Sequence, residues 1–121
     1  MRIEDKFRRM SDSDRLEYLK KQVLKEVKSI GAFNNPNIAD MSLTVARRKS
    51  KIGCSCYGIV LYFTYRENSC VLATELDYWS ITENTKYAVS KAARILSNLI
   101  ELEYYPVPLR TKLIRRQSET Q

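Results

Sequence analysis

Apolar residues recur at helical spacing through the first thirty positions. Ile3, Phe7 and Met10 fall at i, i+4 and i+7, which predicts a short helical arm that docks on another surface. The "SDSD" at 11–14 supplies short polar side chains that accept from the free N–H groups of a helix start, and acids that suit its positive end. Leu16, Leu19, Val23, Val27 and Ile30 then make one stripe, with Lys20, Lys21, Lys25 and Lys28 largely off it. The spacing predicts a helix over 14–30, stopped at Gly31, where a left-handed residue is favoured.

The period changes after "AFNNPNIAD", whose Asn, Pro and Asp are turn formers. Met41, Leu43 and Val45 alternate with small or polar residues, as in a half-buried strand. The β-branched and aromatic "CYGIVLYFTYR" predicts a second strand over 56–66, and "ENS" a turn. A third strand is expected over 70–78, with Leu72, Leu76 and Tyr78 on one face and Val71, Ala73 and Glu75 on the other. Ser80-Ile81-Thr82-Glu83 has capping-box form and predicts the start of a second long helix, with Ala88, Ala92, Ile95, Leu99 and Leu102 as its stripe. The prolines of "YYPVPL" end it. The order is α-β-β-β-α, an α+β class: a three-stranded antiparallel sheet with helices packed on one face. The expected organisation is an arm over 1–12, one domain over 13–109 and a basic, flexible tail over 110–121.

Charge adds a partner class to this picture. With 21 basic against 14 acidic residues among 121, the formal charge is +7, which favours anionic partners, nucleic acid first. The excess lies in runs with no acid nearby in sequence: Arg47, Arg48, Lys49 and Lys51, then Arg110, Lys112, Arg115 and Arg116. Lys86, Lys91 and Arg94 add a third group on the second long helix. Such side chains displace counterions from a phosphate backbone, and arginine grips phosphate bidentately. The expectation is therefore a nucleic-acid-binding protein, RNA or DNA with duplex RNA favoured, acting through backbone contacts from these eleven residues. The bland alternative for Arg47–Lys51 is a solvated hairpin loop whose charge discourages edge association.

"TKYAVSKAA", 85–93, places Lys86, Ala88, Ala92 and Ala93 on positions of the K-K-x-A-K-x-x-A-A pattern that opens the second helix of the double-stranded-RNA-binding domain. Together with the α-β-β-β-α order, the chain resembles that family. The resemblance implies a phosphate grip at this helix start and a loop between the first two strands that enters a minor groove. Thr85 and Val89 stand where the family has lysines, and "RRKSKIG" stands where it has Gly-Pro-x-His, so here that contact is electrostatic.

Histidine is absent, which removes the commonest general base and every histidine-dependent triad. Cys54, Cys56 and Cys70 supply three of the four ligands zinc wants, so they read as small core hydrophobes, and neither metal nor cofactor is expected. Glu75 and Asp77 share a strand face but lack the companion aspartate and lysine of a metal nuclease. There is no Gly-rich phosphate loop, and no enzyme is expected. Six aromatics cluster on the strands, with Tyr62 opposite Leu61 and Phe63 and therefore facing solvent. The charged N-terminus has no apolar core of a signal peptide, and the longest apolar run, 57–65, is short of a membrane span, so a cytoplasmic location is expected. A second class remains open: an interaction adapter or inhibitor, of virus- or plasmid-encoded accessory type, that docks on an acidic partner or forms a homodimer. Tyr104, Tyr105, Val107 and Leu109 would carry it, on a Pro-fixed segment that loses little entropy on ordering.

Overall fold

A computed structural model describes residues 1–30 and 34–104. The order is α1 (Ile3–Arg9), α2 (Asp12–Ser29), β1 (Ile38–Lys49), β2 (Ser55–Tyr65), β3 (Asn68–Asp77), α3 (Tyr78–Glu83) and α4 (Thr85–Tyr104). The strands form one antiparallel sheet in the order β1-β2-β3. The α+β class and the sheet of the sequence reading hold; α1 is the expected helical arm, and α3 is an extra short helix between β3 and the last long helix.

Strand alternation decides which face the helices cover. Tyr57, Ile59, Leu61, Phe63 and Tyr65 of β2 are buried, and register puts Leu76, Leu72 and Cys70 of β3 and Leu43 of β1 on the same side. Leu19, Val23 and Val27 from α2, and Val89, Ala93, Leu96 and Ile100 from α4, close that core. Each buried Val, Leu, Ile or Phe among them contributes about 1.5–3 kcal/mol of burial. No helix among the described residues covers the opposite face, and there Tyr62 is 41% exposed, as the alternation predicts.

The N-terminal arm docks on its own domain. Phe7 is wholly buried among Tyr18, Tyr57 and Tyr78, with ring centroids 6.0, 6.1 and 6.3 Å away. Arg15 of α2 donates from Nε to the Phe7 carbonyl at 2.9 Å and from Nη2 to the Arg8 carbonyl at 2.5 Å. Its guanidinium also lies over the Phe7 and Tyr78 rings. Arg8 Nη2 donates to the Thr82 carbonyl at 2.7 Å, which ties α1 to α3. Cationic groups thus satisfy carbonyls at the ends of two short helices, where the macrodipole favours positive charge.

Three local expectations need correction. Ser80 and Glu83 do not open the long helix. Asp77 caps α3 instead, accepting from Ser80 N at 2.7 Å and Ser80 Oγ at 2.8 Å, and Asn84 interrupts the path before α4. Asn84 Oδ1 then accepts from Tyr87 N at 3.1 Å. The buried face of α4 is also shifted: Ala88 and Ala92 of the expected stripe are buried and Leu99 packs against the core, but Val89, Ala93, Leu96 and Ile100 are buried too and Ile95 is exposed, while the side chain of Leu102 lies outside the described residues. Packing against α2 on one side and β3 on the other sets that phase. Finally, the β2–β3 turn is Arg66-Glu67, both at positive φ (48° and 71°), and lies just before "NS" rather than at "ENS".

Candidate interaction surface

β3 is an edge strand: among the described residues only β2 pairs with it. Its outer side opens on a groove of about 370 Å³ between β3, α3 and α4, lined by Glu75, Leu76, Asp77, Trp79, Ser80, Glu83, Asn84, Tyr87, Ala88, Lys91, Ala92 and Ile95. Ala88 and Ala92 keep the helix side of this groove shallow and apolar. Trp79, 72% exposed, stands between it and a second cavity of about 550 Å³ that Ile52, Cys54, Cys56, Glu75 and Asp77 help to line. Ile52 is 85% exposed at the tip of the β1–β2 connection. Trp79, Tyr87, Ile95 and Ile52 are therefore gathered on one side of the molecule. Single exposed apolar residues need no explanation, whereas a set around a concavity is the feature that marks contact surfaces.

The sequence signal for this surface was weak. Trp79 counts in the sequence only as one of six aromatics around the sheet, and Ile95 belongs to the expected buried stripe. Only the break at Asn84 and the rotated phase of α4 bring them to one rim.

The basic residues do not converge. β1 runs through Lys49, so Arg47, Arg48 and Lys49 are strand residues paired with Tyr57, Cys56 and Ser55, and only Lys51 lies in the Ser50–Cys54 connection. Hydrogen bonds from Ser50 N to the Cys54 carbonyl and from Gly53 N to the Ser50 carbonyl, both 2.8 Å, close that connection. Arg47 is on the helix side and pairs with Asp12 at 2.7 Å. Arg48 is on the open face, across Gly58, where a Cβ would meet its Cδ at 2.6 Å. Register brings Asp77 into the row of Arg48 and Glu75 into the next row, across β2, so these carboxylates share the open face with Arg48.

On α4, Lys86 lines a crevice with Ile3, Tyr18 and Glu26, whereas Lys91 lines the groove beside β3. Arg94 is exposed. Among the described residues, Arg48, Lys49, Lys51, Lys86, Lys91 and Arg94 form no ion pair. Arg110, Lys112, Arg115, Arg116, Tyr105, Val107 and Leu109, and the side chain of Tyr104, lie outside the described residues.

The start of α4 carries its own anion. Glu4 reaches from α1, is buried, and accepts Thr85 N–H through Oε2 at 3.0 Å, while Arg2 Nε donates to Oε1 at 3.2 Å. The Thr85 N–H holds the Glu4 carboxyl below the usual range, against the opposing effect of burial. The position at which the resemblance implies a phosphate grip is thus filled by a carboxylate from the same chain.

The thiols divide by environment. Cys56 and Cys70 are buried and Cys54 is exposed in the connection. Among the described residues no group of three or more cysteine, aspartate or glutamate side chains is placed to hold a metal ion. No helix among them is long and apolar enough to cross a membrane. Comparison of the chain with protein-family models, with curated proteins and with solved structures found no match.

Proposed function

We propose that the protein is an interaction module that docks a protein segment in the groove between β3 and α4. One observation carries this: a strand edge left unpaired among the described residues borders an apolar groove rimmed by Trp79, Tyr87 and Ile95. Main-chain groups of β3 would supply affinity by strand addition, and the groove would select side chains. A large aromatic at the centre of a desolvated contact is the usual energetic anchor, and Trp79 takes that role here.

Nucleic-acid binding is the second reading, favoured by the unpaired, exposed Lys49, Lys51, Lys86, Lys91 and Arg94. It ranks lower because these cations lie on different elements and faces, Arg47 is engaged by Asp12, and Glu75 and Asp77 share the open sheet face with Arg48. Phosphates approaching that end would meet carboxylates as well as cations.

Affinity capture with the full chain after nuclease treatment separates the two. Docking predicts a stoichiometric protein partner that survives nuclease and high salt and is lost on Trp79→Ala or Ile95→Asp. A purified chain with a high 260/280 absorbance ratio, removed by a salt wash and reduced by Arg48→Ala with Lys49→Ala, would instead establish the phosphate reading.

A further inference from the structure

An antiparallel sheet with one solvated face normally carries polar side chains on that face. The open face of this sheet departs from the pattern. Register sets Thr44, Val60 and Ala73 in one row and Ser42, Tyr62 and Val71 in the next, with no charge in either. Tyr62 is 41% and Val71 57% exposed there. We propose that this face is a homodimer interface, in which two copies pack sheet against sheet about a two-fold axis parallel to β2. The inference stands apart from the groove reading, since Val60, Tyr62 and Val71 do not line that groove.

Charge fixes the axis. Arg48 lies on one edge strand, and Glu75 and Asp77 lie on the other at the same end of the sheet. Rotation about an axis along β2 carries β1 of one copy onto β3 of the other and keeps each row opposite the same row. Arg48 then faces the partner's Asp77 and the partner's Glu75, and symmetry makes the contact twice. A two-fold across the strands instead lays β1 on β1 with its ends reversed, and gives Arg48 no carboxylate to meet. Gly58 supplies room for the approach. The Arg48 stem lies across it, where a Cβ would come within 2.6 Å of Arg48 Cδ. The side chain therefore lies along the sheet and does not prop two copies apart.

The exposed apolar side chains obey the same operation. At the Asp77 end, the β1–β2 connection presents Ile52, 85% exposed, and the start of α3 presents Trp79, 72% exposed. The cavity of about 550 Å³ lies between them and is lined by Cys56, Glu75 and Asp77. Ile52 belongs to the β1 side and Trp79 to the β3 side, so the axis that pairs the charges also sets Ile52 against the partner's Trp79. Val60 and Tyr62, on the central strand, meet their own counterparts. One rotation thus matches cation to anion and apolar to apolar, which an isologous interface requires.

Area sets the strength. The sheet has three strands, and β3 has 10 residues. At a strand spacing of ~4.8 Å and ~3.3 Å per residue, such a sheet presents a footprint of ~500 Å² per copy before Ile52 and Trp79 are added. That is the low end for specific interfaces, so the dimer is reversible, with a micromolar dissociation constant.

Sedimentation velocity of the nuclease-treated full chain from ~1 μM to ~1 mM tests this. The weight-average mass should climb from 14.2 kDa toward twice that value. Arg48→Glu, Glu75→Arg and Ile52→Asp change exposed side chains, and circular dichroism verifies that each variant folds. Each should weaken association by ~10-fold or more. Mixed together, the Arg48→Glu and Glu75→Arg chains should associate to within ~3-fold of wild type, because opposite charges then face each other in trans. A folding defect produces no such recovery.

A mass fixed at that of one chain overturns the proposal. So does a dimer indifferent to all three substitutions, or a mixture that does not recover. A fixed mass together with a captured protein that Arg48→Glu releases assigns the face to a different partner, and overturns it too. The groove reading is decided separately, by capture with Ile95→Asp, since Ile95 lies on α4 and away from this face.

Discussion

Truncation of Phe7 to alanine tests whether the first ten residues belong to the cooperative core. A buried phenylalanine hides ~150–250 Å², worth ~4–6 kcal/mol at about 25 cal/mol/Å². Alanine keeps part of that area, and measured Phe→Ala costs in cores are ~3–5 kcal/mol. The site favours the upper half of this range. Phe7 is wholly buried, contacts three aromatic rings and carries the Arg15 guanidinium over its face, so little around it is free to collapse into the void. A loss of ~4 kcal/mol is a large share of the ~5–15 kcal/mol that holds a typical domain together. For a chain of this length it lowers the melting midpoint by roughly 12–20 °C. Urea titration followed by far-ultraviolet circular dichroism gives the free energy, and Phe7→Leu serves as the milder control. A loss below ~1 kcal/mol would refute the reasoning. It would mean that α1 detaches before the body unfolds, as a local low-energy opening, and contributes nothing to the core.

Glu4 gives a pH test. Its folded pKa is lowered, so its contribution is present above the unfolded value near 4.5 and is lost as pH falls through the folded value. Glu4→Gln, which keeps an acceptor for Thr85 N–H, should flatten the stability profile below about pH 5 in urea titrations at stepped pH, and an unchanged slope would disprove the assignment. The Arg66-Glu67 turn holds two left-handed non-glycine residues, so Arg66→Asn with Glu67→Gly should raise stability by ~1–2 kcal/mol by thermal melt, and a loss would contradict the turn geometry. Asp12 and Arg47 are both about half exposed, so Arg47→Ala should cost under ~1 kcal/mol, and less in high salt. Binding experiments on Arg47→Ala should leave any phosphate-dependent affinity nearly unchanged, because this side chain is already engaged by a carboxylate.

Local pattern was enough for the parts of the fold whose partners are near in sequence. The stripe Leu19, Val23 and Val27, the Ser11 cap and the alternation of β2 all appear as read, because period and capping chemistry depend on a few neighbouring residues. The class followed from the order of those periods. Tertiary structure decided what depends on distant groups. Ser80-x-x-Glu83 is a valid capping box that goes unused, since Asp77 caps first and Glu4, eighty-one positions away, takes the Thr85 N–H. Ile95 satisfies the helical period, yet it is exposed because α2 and β3 together fix the rotation of α4. The basic run at 47–51 reads as one charged loop along the chain. In the sheet its strand members alternate between faces, where Asp12 engages one of them and Glu75 and Asp77 share the open face with another. Composition counts charges, but their directions come from the strand that carries them, and the apolar groove exists only where three separate elements meet.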